Sequence, residues 1–239
     1  MKIRIKFRKY GIMKFIGHLD LMRYFQKAMR RADIDICYSS GFSPHMIMSF
    51  ASPLGVGLTS DGEYLDIEIG NELSSQAAVQ RLKAVMTEGV EVLSFRRIPE
   101  DKASNAMSLV AAADYEVRFR DPSILPENPE KLWEAFLGQA AVTVVKKTKK
   151  GERELDLKPL IYQAEWRRDE DGAPCVFLRL SSGSADNVKP ELVLEAFAAY
   201  AGFALPEFAL LIHRKDLYAA AGAAKEPRFV SLEDLGEEF

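Results

Sequence analysis

The sequence predicts an α+β fold of two tandem ferredoxin-like (split βαβ) domains, with antiparallel sheets and helices on one face. Three observations predict it. Segments of period-two alternation interleave with segments whose apolar residues recur every three or four positions. The element order β-α-β-β-α-β occurs twice. A stretch of small and polar residues without a period, 99–112, separates the two runs and reads as a linker.

In the first run, Ile3, Ile5 and Phe7 alternate with Lys2, Arg4, Lys6 and Arg8, the pattern of a strand with one apolar face. Lys9-Tyr10-Gly11 turns the chain. Leu21, Phe25, Ala28, Met29 and Ala32 then recur at helical spacing over 17–32. Arg23, Lys27 and Arg30 or Arg31 form a stripe along the other side of that helix. Short strands at 34–38 and 46–50 flank a loop at 39–45, and a second loop at 53–57 precedes a strand at 64–69. N-cap candidates between Asn71 and Ser75 introduce a helix at 77–86. A strand at 90–97 completes a domain spanning 1–98.

The second run opens with a strand at 115–119. Asn128 and Pro129 mark the start of a helix at 129–137. Strands at 142–147, 155–166 and 174–180 follow, the first two joined by a turn at 149–152 and the last two by Asp171-Gly172. A helix at 189–201 has Pro190 at its start and Gly202 at its end. A last strand at 208–213 ends a domain spanning 113–221, and 222–239 reads as an acidic tail.

A hydrophobic content of 48% and a charged content of 28% are those of an ordinary globular protein, which excludes wholesale disorder. No run approaches the roughly 18 apolar residues of a membrane helix. The alternating start, Met1 to Lys6, lacks the apolar core of a secretory signal. Two distant cysteines, Cys37 and Cys175, make neither a disulfide framework nor an iron–sulfur site. A cytoplasmic protein without cofactor, metal or membrane partner is expected.

The net charge of −3 is unevenly spread. Residues 1–60 hold ten Lys or Arg against three Asp, a net +7 that leaves −10 for the remainder. A basic first quarter on an acidic chain marks a localised anion-binding surface, unless it is a lysine-decorated strand beside a solvated helix face. Lys14, His18, Arg23, Lys27, Arg30 and Arg31 are the candidates on the first turn and helix. Tyr38, Ser39, Gly41, Phe42 and His45 join them from a loop rich in hydroxyls. His18 stands at a helix start, where backbone N–H groups attract anions. Lys149 and Lys150 occupy the matching loop of the second half, and His213 and Arg214 end its last strand. His18 with Asp20 or Cys37 follows no ligand-spacing rule, so no metal site is assigned. There is no Gly-Lys-Ser/Thr phosphate loop and no Gly-x-Ser-x-Gly elbow.

Four stretches together resemble a known family: Lys14-Phe15-Ile16-Gly17-His18-Leu19-Asp20-Leu21-Met22-Arg23, then Arg30-Arg31-Ala32, then Tyr38-Ser39-Ser40-Gly41-Phe42-Ser43-Pro44-His45, then Ser49-Phe50-Ala51-Ser52-Pro53-Leu54-Gly55. They are similar to the radical SAM-linked protein family, a bacterial family of unknown function. Asp156-Leu157-Lys158-Pro159-Leu160-Ile161, Lys189-Pro190-Glu191 and His213-Arg214-Lys215-Asp216-Leu217-Tyr218 are weaker matches. Gly17 and Ser43 stand where the family tends to carry serine and asparagine. The resemblance implies a partner that is a radical SAM enzyme. This chain lacks the three-cysteine cluster motif, so it would accompany that enzyme rather than perform the radical step.

The leading expectation is therefore a non-catalytic accessory protein that binds RNA or a ribonucleoprotein through its basic N-terminal surface. One alternative is a metal-independent endoribonuclease using His18 and His45 as general base and acid. Another is an adaptor that binds protein alone.

Overall fold

β1 (Lys2–Lys9) shows the alternation its sequence demands: Ile3, Ile5 and Phe7 are wholly buried on one face. The computed structural model describes residues 1–71, 73–101, 104–148, 151–183, 186–221 and 228–239. They form a mixed α+β fold whose sheet pairing is mainly antiparallel. Two units are resolved, 1–113 with 214–239, and 114–213.

In the first unit, β1 is followed by a 3-10 turn (Gly11–Phe15) and α1 (His18–Arg31). β2 (Met48–Phe50), β3 (Thr59–Glu68), α2 (Ser75–Val85) and β4 (Val90–Arg97) complete the first half. β1 lies between β4 and β3, and β2 pairs with β3, all antiparallel. Leu21, Phe25 and Met29 of α1 and Ala78 and Leu82 of α2 share one core with the apolar side of β1, β3 and β4. A bond from Ile34 N–H to Met29 C=O and one from Asp33 N–H to Arg30 C=O end α1. This is a Schellman closure with Asp33 at φ +52°, a left-handed position that aspartate tolerates.

The other face of β1 and β3 is polar and covered. Arg4 is 2% exposed and its guanidinium forks onto Asp66 at 2.8 and 3.0 Å. Its remaining N–H groups meet the carbonyls of Ser104 (2.6 Å) and Leu232 (3.1 Å). Asp66 also accepts from Ala106 N–H, at the start of α3 (Ala106–Leu109). Lys6 donates to Glu233 at 2.9 Å and Asp216 at 3.2 Å.

The described part of the segment expected as a tail, 228–239, thus packs onto this unit. Its described residues form β11 (Arg228–Ser231), antiparallel to β10 (Leu210–Ala221), and a 3-10 turn that buries Leu232 completely. Its acidic residues answer the cations of β1 and β4: Glu233 meets Lys6, and Glu237 meets Arg97 at 2.7 Å. The expected linker likewise carries α3 and the start of β5 (Val110–Phe119).

In the second unit, α4 (Pro129–Leu137) and α5 (Pro190–Ala201) pack Trp133, Phe136 and Phe197 with ring centroids 5.0–5.6 Å apart. β8 (Ile161–Arg168) pairs with β9 (Pro174–Ser181), which lies beside β5. β6 (Thr143–Thr148) and β7 (Gly151–Asp156) form a separate hairpin. The strand expected at 155–166 is broken into β7, a 3-10 turn at Lys158–Leu160 and β8. Pro159 has no N–H to give a ladder there. The segment expected as a strand at 34–38 makes only isolated bridges, Ile36 with Ile69 and Tyr38 with Met46.

Burial alone would raise the Glu233 carboxyl, but hydrogen bonds from Lys6 and Ser94 and the charges of Lys6 and Arg96 outweigh it. Glu233 is held below the usual glutamate range, so its contribution is present above that range and is lost as pH falls through the lowered value. Urea unfolding should show wild-type stability falling in acid, below about pH 4. Glu233→Gln should be less stable near neutrality and show a shallower acid limb.

Candidate nucleic-acid interface

The basic excess of the first sixty residues divides into spent and exposed charge. The β1 cations are spent. Arg4 and Lys6 are paired as above, Arg8 meets Asp61 at 2.8 Å, and Lys9, 1% exposed, donates to Ile16 C=O at 2.9 Å. Arg214, a candidate for anion binding, is spent as well. It is 3% exposed, holds Glu63 through Nε and Nη2 at 2.8 and 2.5 Å, and donates to Ser52 C=O at 2.6 Å. Its charge serves the fold. His213 is half-buried, and Lys149 and Lys150 lie outside the described residues.

The exposed charge lies on α1. Burying Leu21, Phe25 and Met29 turns Arg23, Lys27, Arg30 and Arg31 outward. Arg23 is paired with Asp20 at 3.2 Å. Among the described residues, Lys27 and Arg30 have no ion-pair partner. Arg31 donates to Val85 C=O, at the end of α2, at 2.7 Å. Lys27, Arg30 and Arg31 line a depression of about 430 Å³ with Tyr24 and Thr87. Arg30 also walls a second one, of about 500 Å³, together with Arg81 and Tyr38. Arg81 of α2 has no signal in the local sequence. Only the packing of α2 beside α1 brings it to this surface.

The hydroxyl-rich loop is closed at its neck. Ser39 N–H donates to His45 C=O at 2.8 Å, and His45 N–H donates to Ser39 Oγ at 3.2 Å. The same Oγ lies 2.9 Å from His45 Nδ1. Gly41, at φ +113°, supplies a backbone conformation that only glycine adopts without strain. Phe42 at the tip is fully exposed, and Tyr38 is 48% exposed.

His18 opens α1 after Gly17, which offers no side-chain cap. Its ring meets Phe50 edge-on at 5.1 Å, and its Nδ1 is buried without a hydrogen-bond partner. The two imidazoles therefore have different neighbours, Phe50 for His18 and Ser39 for His45. Lys14 lies over the Phe15 ring at 5.1 Å, and its carbonyl accepts from Gly57 N–H. Among the described residues, no group of three or more His, Cys, Asp or Glu could hold a metal ion, and no helix is long and apolar enough to cross a membrane.

A family model described as an uncharacterized protein conserved in bacteria (DUF2344) matches residues 2–190. No curated protein matches the chain. Among solved structures, a chain of the crystal structure of a Cbf5-Nop10-Gar1 complex is 9% identical, with a TM-score of 0.48. The likeness covers 90% of this chain and 48% of that one, so this protein spans about half of its length.

If Arg214 serves the fold, Arg214→Ala should strand a buried Glu63 carboxylate and cost about 3–5 kcal/mol in denaturant unfolding. Replacing both partners, Arg214→Met with Glu63→Leu, should recover much of that loss.

Proposed function

This chain belongs to the DUF2344 family of uncharacterized proteins conserved in bacteria, and we propose that it is a binding module that takes RNA or a ribonucleoprotein on the α1 surface. The observation that carries this reading is the contrast in charge. The cations of β1 are tied to internal partners, whereas Lys27 and Arg30 face solvent unpaired among the described residues, with Arg31 and Arg81 beside them. Unpaired cations around depressions suit backbone phosphates, because each phosphate they neutralise releases a condensed counterion.

The resemblance to radical SAM-linked proteins supports a radical SAM enzyme as the partner, with this chain presenting the substrate. We read both halves as ferredoxin-like modules. The order β4-β1-β3 with β2 on β3 supports this in the first unit. In the second, β5-β9-β8 and the bond from Arg120 N–H to Ala209 C=O beside β5 support it. Free Cys37 and Cys175 suit a reducing cytoplasm. Cleavage by His18 and His45 is the weaker reading, because each ring is engaged by a different neighbour. Protein docking is the second reading, favoured by exposed Ile12, Phe15, Leu19 and Val56 on and near the start of α1. Capture of a radical SAM enzyme that survives nuclease treatment would favour it.

Filter binding of RNA at several salt concentrations tests the main reading. Affinity should fall linearly with the logarithm of salt, by about 0.7 in slope per single-strand phosphate contact. Lys27→Glu with Arg30→Glu should weaken binding more than about tenfold and reduce the slope by about 1.4. Both side chains are exposed, so the loss of stability should be confined to about 1–2 kcal/mol from the helix dipole, leaving the variant folded at the binding temperature. Salt-independent binding, or an unaffected double variant, contradicts the proposal.

A further inference from the structure

We infer that the RNA taken here is single-stranded, and that one unstacked base lies against Tyr38 in the groove between α1, α2 and the 34–38 segment; this rests on the RNA-binding reading above and names the form of its ligand. The groove has about 500 Å³, within the roughly 300–1,000 Å³ of small-molecule sites. Ile34, Ile36, Met46 and Ile69 lie at its base, each less than a tenth exposed, and the surface around them is mostly polar, from Arg30, Asp33, Asp35, Asn71 and Arg81. A small apolar patch ringed by hydrogen-bonding groups suits a base, whose face is apolar and whose edges are polar.

Tyr38 is the wall suited to stacking. The residue is about half exposed, while its backbone is pinned by the bridge to Met46 and by the Ser39–His45 closure that follows. A pinned aromatic loses little freedom when a base covers it.

Arg30 joins this slot to the charged surface, because it lines both depressions. Lys27, Arg31 and Arg30 form a rail for phosphates on one side, and Tyr38 with the apolar patch forms a slot on the other. A stacking platform beside a cationic rail is how proteins hold single strands, whose bases are free to splay out. In a duplex the base faces are hidden, and the slot would have no occupant.

Two carboxylates also line the groove. Asp33 is 4.0 Å from Arg81, whose Nη1 donates to the Asp33 carbonyl at 3.3 Å. Asp35 sits opposite Gly70, where a side chain would collide with its Oδ2 at 2.6 Å. Acidic groups repel phosphate, which keeps the backbone on the Lys27 side. They accept hydrogen bonds from a ribose 2′-hydroxyl, a group that DNA lacks.

Fluorescence anisotropy tests this with a short labelled single-stranded RNA, the same sequence as DNA, and the RNA annealed to its complement. The single-stranded RNA should bind tightest. Tyr38→Ala should weaken it by about tenfold, the loss of one stacked base, with the salt slope unchanged. Tyr38→Trp should restore binding. Equal binding of duplex RNA, or a silent Tyr38→Ala, overturns the base slot while leaving the charged surface intact, provided Lys27→Glu with Arg30→Glu still weakens binding. Equal binding of the DNA overturns the choice of RNA. No binding of any probe, with the charge reversal silent, overturns both this inference and the reading beneath it.

Discussion

The burial of Phe25 sets the geometry on which the first unit depends. Its ring lies 4.8 Å from Phe7 and 5.8 Å from Phe50, so one side chain ties α1 to β1 and β2. A helix turns about 100° per residue, so fixing Phe25 inward fixes the rest of the helix. Lys27 and Arg30 then lie about 200° and 140° around from it, on the side facing away from the sheet. The exposed cations are therefore a consequence of the core, held in place by three aromatic rings. The Schellman closure at Asp33 follows on the same helix and delivers the chain to Ile34–Tyr38, the wall of the groove.

The opposite face of the sheet obeys a different constraint. A guanidinium cannot be buried unless its N–H groups are met. Arg4 meets this condition with one carboxylate and two carbonyls drawn from residues 66, 104 and 232. Lys6 and Arg96 draw in Glu233, and Arg97 draws in Glu237. The acidic C-terminal segment thus neutralises Lys6 of β1 and the arginines of β4, while Asp66 and Asp61 of β3 neutralise Arg4 and Arg8. This is why the charge asymmetry written in the sequence is larger than the asymmetry on the surface. What survives exposed is concentrated on α1, which gives the site its location.

Legibility followed the range of the interactions. α1, α4 and α5 could be read because their apolar spacing and their Pro and Gly boundaries are local. α4 begins where Asn128-Pro129 indicates, and α5 ends at Gly202. The early part of β3 could not be read, since Asp61, Gly62 and Glu63 look like a loop. Glu63 is buried by Arg214, 151 residues away, and a side chain at Gly62 would meet the Asp216 backbone at 2.7 Å. The same distance hid the role of Arg214 and the docking of the C-terminal segment. Within the site, the α1 cations and the Tyr38–His45 loop were visible as residues. Arg81 was not, because helix packing rather than sequence spacing brings it to the groove.

Amide hydrogen exchange of the whole chain, with and without single-stranded RNA, tests the central claim most directly. The account predicts slower exchange in the second half of α1, the 34–38 segment and α2 around Arg81, with β4 and the second unit unchanged. Slowing confined to the second unit, or none at saturating RNA, would contradict it.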